Sequence, residues 1–236
     1  MAPLPPAAQR PPVLANLRFQ EHVDRLVGRG PAEIFTYIFD TNLWSSAQTE
    51  SGAGSEIDAT AVLRDEIPAL LRRLRARTLL DAPCGDFGWL ARADLGQVDY
   101  TGADIVAGLV VRNEERYAAP GRRFLRLDLI QDALPRADVV LCRDCLVHLN
   151  YPQIFATFAN LRRSGSRFLL TTTFVELDAN ADVDTGDWRP LNLCLPPFRL
   201  PEPEALIVEG CTEVGGAYAD KALGLWRIAD LPQRPR

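Results

Sequence analysis

Two aspartates, Asp81 and Asp86, flank a proline, a cysteine and a glycine in the stretch LLDAPCGDFGWL (79–90). An apolar strand running into such a loop is a common nucleotide site, but a dinucleotide loop needs G-x-G-x-x-G. Here Pro83 takes the first glycine position and Phe87 stands where close packing asks for a small residue. A diphosphate binds the free amides at a helix start, and Asp86 in that position repels it. The loop suits a cation. Gly85 allows close backbone approach, and the next acid at a strand end, Asp104, falls at the spacing from Gly85 at which an acid grips ribose hydroxyls.

A second cluster lies in ADVVLCRDCLVHL (137–149). His148 and His22 are the chain's two histidines, and His22 sits in a helical pattern that reads as packing or solvated. Asp144 precedes His148 by one helical turn, which sets both on one face. The carboxylate then orients the imidazole and makes it a better base. Asp144 with a neighbour is also a donor set for Mg2+. Arg143 fits either an anionic or polyhydroxyl acceptor or a structural ion pair. Cys142 and Cys145 have C-x-x-C spacing, a redox or half-zinc signature, with no second pair to complete a zinc site. The five cysteines are odd in number and scattered, which is no disulfide framework. Trp44 in LWSSAQTESGAGS (43–55) reads as part of a lid. Trp188, Arg189 and Asn192 in DTGDWRPLNLCLPPF (184–198) set an aromatic face beside planar hydrogen-bonding groups. That composition suits a sugar, although both tryptophans also read as core anchors.

The elements that must hold these residues are legible from periodicity. Short apolar runs at 78–82, 99–105, 123–128, 138–143 and 166–174 alternate with helical segments near 87–94, 107–118, 145–149 and 152–163. That alternation predicts a parallel sheet covered on both faces. The runs 204–210 and 222–228 leave no room for a crossover helix and pair antiparallel. Ahead of the sheet, helical patterns at 13–29 and from Pro31, and a third from residue 57 to 74, form an N-terminal cap. The expected organisation is a flexible tail over 1–12, a helical cap and lid over 13–75, and an α/β core over 76–236.

In this order the motifs resemble those of class I S-adenosylmethionine-dependent methyltransferases, from about Leu79 to Ile228. LLDAPCGDFGWL resembles the family's first motif, with Asp81 and Gly85 at matching positions and Cys84 and Asp86 in the same loop. YTGADI resembles the second, whose acid, here Asp104 with Ile105 beside it, binds both ribose hydroxyls. FLRLDL resembles the third, where Asp128 meets the adenine amino group and Leu129 lies along the ring. ADVVLCRDCLVHL resembles the fourth, in which the strand end, with Arg143, faces the methyl group. The resemblance implies a seven-stranded, mostly parallel sheet with an antiparallel C-terminal pair, and S-adenosyl-L-methionine as cofactor. It is similar to methyltransferases of polysaccharide and specialised-metabolite pathways.

The expected activity is O-methylation of a sugar, oligosaccharide or other polar hydroxylated small molecule, with His148 as general base. Rivals are transfer to nitrogen or a phosphorus oxyacid, a non-catalytic adenosyl-binding module, and a redox protein using the cysteine pair. A net charge of −5 argues against a nucleic-acid footprint. No run approaches the roughly 20 apolar residues of a membrane span, and no signal peptide is visible, so a cytoplasmic protein is expected. A homo-oligomer is compatible, since the N-terminal helices would cap either their own site or a neighbour's. Of 26 lysines and arginines, Lys221 is the single lysine, which matches a compositional preference for arginine.

Overall fold

Val139–Cys142 is apolar at every position and buried throughout, as a central parallel strand must be. In the computed structural model, which describes residues 4–233, it is β4 of a seven-stranded sheet ordered β3-β2-β1-β4-β5-β7-β6. The others are β1 (Thr78–Asp81), β2 (Asp99–Asp104), β3 (Arg122–Arg126), β5 (Phe168–Phe174), β6 (Ala205–Val208) and β7 (Lys221–Arg227). β1 to β5 run parallel, and β7 pairs antiparallel with both β5 and β6. The strand order reverses between β1 and β4, which opens a crevice beyond their carboxyl ends.

Helices follow the apolar periodicity. α1 (Leu14–Glu21), α2 (Val23–Leu26) and α3 (Pro31–Asp40) form the cap around Phe19, Leu26, Ile34 and Ile38. α4 (Ala61–Arg73) buries Leu63, Ile67, Leu70 and Leu71 against one sheet face. α5 (Ala107–Tyr117) and α6 (Tyr151–Ser164) are crossovers. α6 starts where Asn150 accepts the Gln153 N–H and stops at left-handed Gly165. No helix among the described residues is long and apolar enough to cross a membrane.

Three expectations are corrected. The helix at 13–29 breaks at His22, whose backbone leaves the helical region and whose Nδ1 meets the Tyr37 hydroxyl at 2.8 Å. The helix at 87–94 is only a 3-10 turn, Leu90–Arg92. Gly85 and Phe87 both take positive φ, and the buried Phe87 ring packs on Tyr100, Tyr117 and Phe124 instead of starting a helix. The third concerns the tail, of which Met1–Pro3 lie outside the described residues. From residue 4 on it is fastened, not free. Arg10 reaches Asp220 at 2.7 Å with both side chains almost fully buried, Ala7 N–H donates to Asp178, and Tyr218 donates to Pro11 O.

Removing one partner of a buried ion pair strands the other charge, typically at a cost of about 3–5 kcal/mol. Arg10→Met is therefore expected to lose stability on that scale in urea unfolding. Arg10→Met/Asp220→Asn should recover part of it, because the amide removes the stranded charge and its Oδ1 still accepts the Glu176 N–H that Asp220 holds at 3.0 Å.

Candidate active site

The crevice between β1 and β4 is closed above by α3 and by the loop from 41 to 60. It encloses about 1100 Å³ of space, part of it open solvent. Asp81, Cys84, Gly85, Asp104, Ile105, Asp128, Leu129 and Arg143 all line it, with His148, Asp144 and Trp44. The cap covers its own chain's site, since Phe35, Ile38 and Phe39 of α3 form one wall.

The loop after β1 is held by its own polar groups. Asp104 accepts Gly85 N–H at 3.1 Å and Val106 N–H at 2.9 Å, and Asp81 accepts the Tyr100 hydroxyl at 2.7 Å. Burial pushes the Asp81 carboxyl up to about 7, against the Tyr100 hydrogen bond. Burial likewise raises Asp104 to about 6, against its backbone amides. Gly85 suits its place, since it takes φ +53° and a Cβ there would lie 2.3 Å from Ser51 Oγ, displacing that side chain. The same hydroxyl accepts Asp86 N–H at 3.0 Å and fastens the loop from 41 to 60 onto the first motif. Asp86 itself is a correction. It does not line the cavity, and its Oδ1 accepts Gly88 N–H to shape the turn. Asp128 lines the cavity while its carboxylate accepts Ile130 N–H and the Gln131 side chain.

His148 sits on the 3-10 turn Leu146–His148, buried and stacked on Trp44 with ring centroids 4.8 Å apart. Its Nδ1 lies 2.8 Å from Asp187 O. A carbonyl only accepts, so Nδ1 carries the proton and Nε2 keeps its lone pair. Among the described residues Nε2 has no hydrogen-bond partner. Burial lowers the imidazole to about 4, against the Asp187 carbonyl and the Asp144 charge, so it is neutral at physiological pH. The orienting group is therefore the Asp187 carbonyl and not Asp144.

Two residues expected at an acceptor brace the fold instead. Arg189 donates to Leu146 O, Leu149 O and Ala181 O, clamping the turn that carries His148. Asn192 donates to Leu177 O and accepts Cys194 N–H. Neither lines the cavity. Trp188 packs edge-on against Phe174 and Tyr218 and lines only a smaller adjoining cavity.

The sequence reading missed a charge cluster at the cavity wall. Lys221 Nζ lies 2.6 Å from Asp144 Oδ2 and 3.6 Å from Glu209, and Arg143 lies 3.2 Å from Asp144 and 2.7 Å from Glu209. Burial opposes ionisation of Asp144, yet Arg143 and Lys221 hold its carboxyl well below the usual range. Those two cations also make Asp144 unfit for Mg2+, and among the described residues no three His, Cys, Asp or Glu side chains are grouped to hold a metal. The lone lysine of an arginine-rich chain was the signal available. Cys145 is no activated thiol either: the Cys142 contact and burial push its pKa well up.

Neither a family model nor a curated protein sequence matches the chain. Solved structures do. 1,6-Didemethyltoxoflavin-N1-methyltransferase of Burkholderia thailandensis, with bound 1,6-didemethyltoxoflavin and S-adenosylhomocysteine, aligns at TM-score 0.56 and 16% identity, over 84% of this chain and 90% of that one. Human N-acetylserotonin methyltransferase, in complex with SAM, aligns at TM-score 0.53 and 11% identity, over 90% of this chain and 62% of that one. The methyltransferase domain of bacterial CtHen1-C gives TM-score 0.42 at 14% identity, over 50% of this chain and 66% of that one. The chain thus spans just under two thirds of the length of the last two. The fold is the class I methyltransferase fold. At these identities the likeness speaks of fold alone.

Between pH 4 and 7 the folded protein keeps the Asp81 proton that the unfolded chain releases, so Asp81 lowers stability as pH rises through that window. Asp104 acts in the same direction up to about pH 6, and His148 in the opposite one between 6.5 and 4. Asp81→Asn is therefore expected to stabilise the protein more at pH 8 than at pH 5. The difference is on the order of 2.7 kcal/mol, the two pKa units between pH 5 and the folded value of about 7 at 1.4 each, read from thermal unfolding at the two pH values.

Proposed function

We propose that this chain is an S-adenosylmethionine-dependent O-methyltransferase acting on a hydroxylated small molecule, with His148 as general base. The observation that carries this reading is the neutral imidazole whose Nε2 lone pair is free at the cavity lined by Asp81 and Asp104. Those carboxylates are buried with raised pKa and have no ion pair, which fits a ligand bringing both positive charge and hydroxyl groups. Asp104 would hold the ribose hydroxyls, the backbone around Gly85 the amino-acid end, and Leu129 and Asp128 the adenine.

Bound S-adenosylmethionine supplies a methyl group on a sulfonium: the acceptor oxygen forms the C–O bond as the C–S electron pair returns to sulfur. The residues of this chain do the rest. His148 takes the hydroxyl proton at Nε2, and Asp187 O stabilises the imidazolium through Nδ1–H. Arg189 keeps the turn in place, and Trp44 with the loop from 41 to 60 excludes water. Orientation alone is worth several orders of magnitude in such a displacement.

Calorimetry of S-adenosylmethionine binding should give micromolar affinity for the wild type and none for Asp104→Ala. Binding retained in the variant would sink the assignment of Asp104. His148→Gln should lower kcat by about 10²–10⁴ with cofactor affinity unchanged. A variant that turns over normally points to an acceptor nitrogen with no proton to lose.

A further inference from the structure

Beside His148 lies the second, smaller cavity, enclosing about 500 Å³ with its open part. It shares Trp44, Ser51, Asp144 and His148 with the larger one. Lys221, only 5% exposed, forms part of its wall. Of the three N–H donors of the ammonium, one makes a hydrogen bond, to Asp144 Oδ2 at 2.6 Å. Glu209, at 3.6 Å, is beyond hydrogen-bond reach. Two donors of a buried cation are thus left for a partner outside the described protein atoms, and buried donors rarely stay unused. The walls of the cavity are mixed: residues 13–15 and the indoles of Trp44 and Trp188 on the apolar side, Ser51, Asp144, His148 and Glu213 on the polar side.

We propose that this cavity receives the acceptor and that Lys221 donates to its reacting oxygen, which makes the acceptor a small phenol or enol and not a carbohydrate. This rests on the methyltransferase reading above. A compact ammonium presents point-like donors to a single oxygen, where a guanidinium would present a broad planar fork. That explains a lysine here in a chain whose other basic positions are all arginine. A donated ammonium hydrogen bond stabilises the developing oxyanion. This support is needed because burial leaves His148 a weak base, able to take a proton only from a hydroxyl that is already acidic. The two indoles and residues 13–15 supply apolar surface for the faces of a ring. Asp144 and Glu209 are balanced by Arg143 and Lys221, so Glu213 is the remaining carboxylate at the cavity and disfavours acceptors with a further anionic group.

The test uses 4-nitrophenol as probe with the protein saturated in S-adenosylhomocysteine, so that no turnover occurs. Phenolate absorbance is followed one pH unit below the probe's own pKa. The wild type should bind the probe with an apparent pKa lowered by about one unit, a tenfold change. Lys221→Gln should abolish that shift. Lys221→Gln/Glu209→Gln removes one charge of each sign, and should abolish it too if the single variant folds poorly. Calorimetric binding of S-adenosylmethionine is read on the same protein preparations before S-adenosylhomocysteine is added. Its loss in the wild type would overturn the methyltransferase reading. With cofactor binding intact, three results would overturn the role of Lys221 or the acceptor class: no probe binding, a shift that survives in the double variant, or methyl glucoside binding better than 4-nitrophenol.

Discussion

Charge taken out of water must be paired, and at the top of β4 this requirement is met by four side chains at once. Arg143 and Asp144 follow β4, Glu209 follows β6, and Lys221 begins β7. Their mutual contacts therefore tie together the ends of three strands. Arg143 also donates to Gly54 O at 2.8 Å, which extends the tie to the loop covering the crevice. A Cβ on Gly54 would sit 3.3 Å from Asp144 Oδ2, so that loop lies directly on the cluster. Asp144 adopts a positive φ there, a conformation costly for a non-glycine residue that the surrounding pairs hold in place.

The other carboxylates of the crevice are treated in the opposite way. Asp81 and Asp104 have hydrogen bonds but no ion pair, so they are buried without full compensation. The two situations adjoin in space, where Arg143 lies close enough to Asp81 to lower its pKa slightly while remaining committed to Asp144 and Glu209. Unpaired and fully paired acids thus line one crevice, and the contrast separates carboxylates still short of a counter-charge from those already neutralised.

Strand positions and strand-end acids were legible because they follow from local rules. Period, apolar runs and acids at 81, 104 and 128 can be read without knowing the partners. Side chains with many donors were not legible. Arg189 and Asn192 look the same in sequence whether they serve a sugar or a set of backbone carbonyls, and here the carbonyls of the His148 turn and of residue 177 take them. Asp86 was misread because the helix expected after it does not form, and Asp144 because cations from β4 and β7 reach it first. Arg10 in a proline-rich segment gave no local hint of a partner 210 residues away.

That last pairing bears on how the protein is made. Residues 13–15 form part of the smaller cavity, and the segment leading to them is anchored at Asp220, next to Lys221. A wall supplied by residues 13–15 cannot be fixed until β7 is in place, and such distant contacts are slow to close. A chain lacking β7 would then hold the central parallel strands and the crevice acids without a finished cavity beside His148.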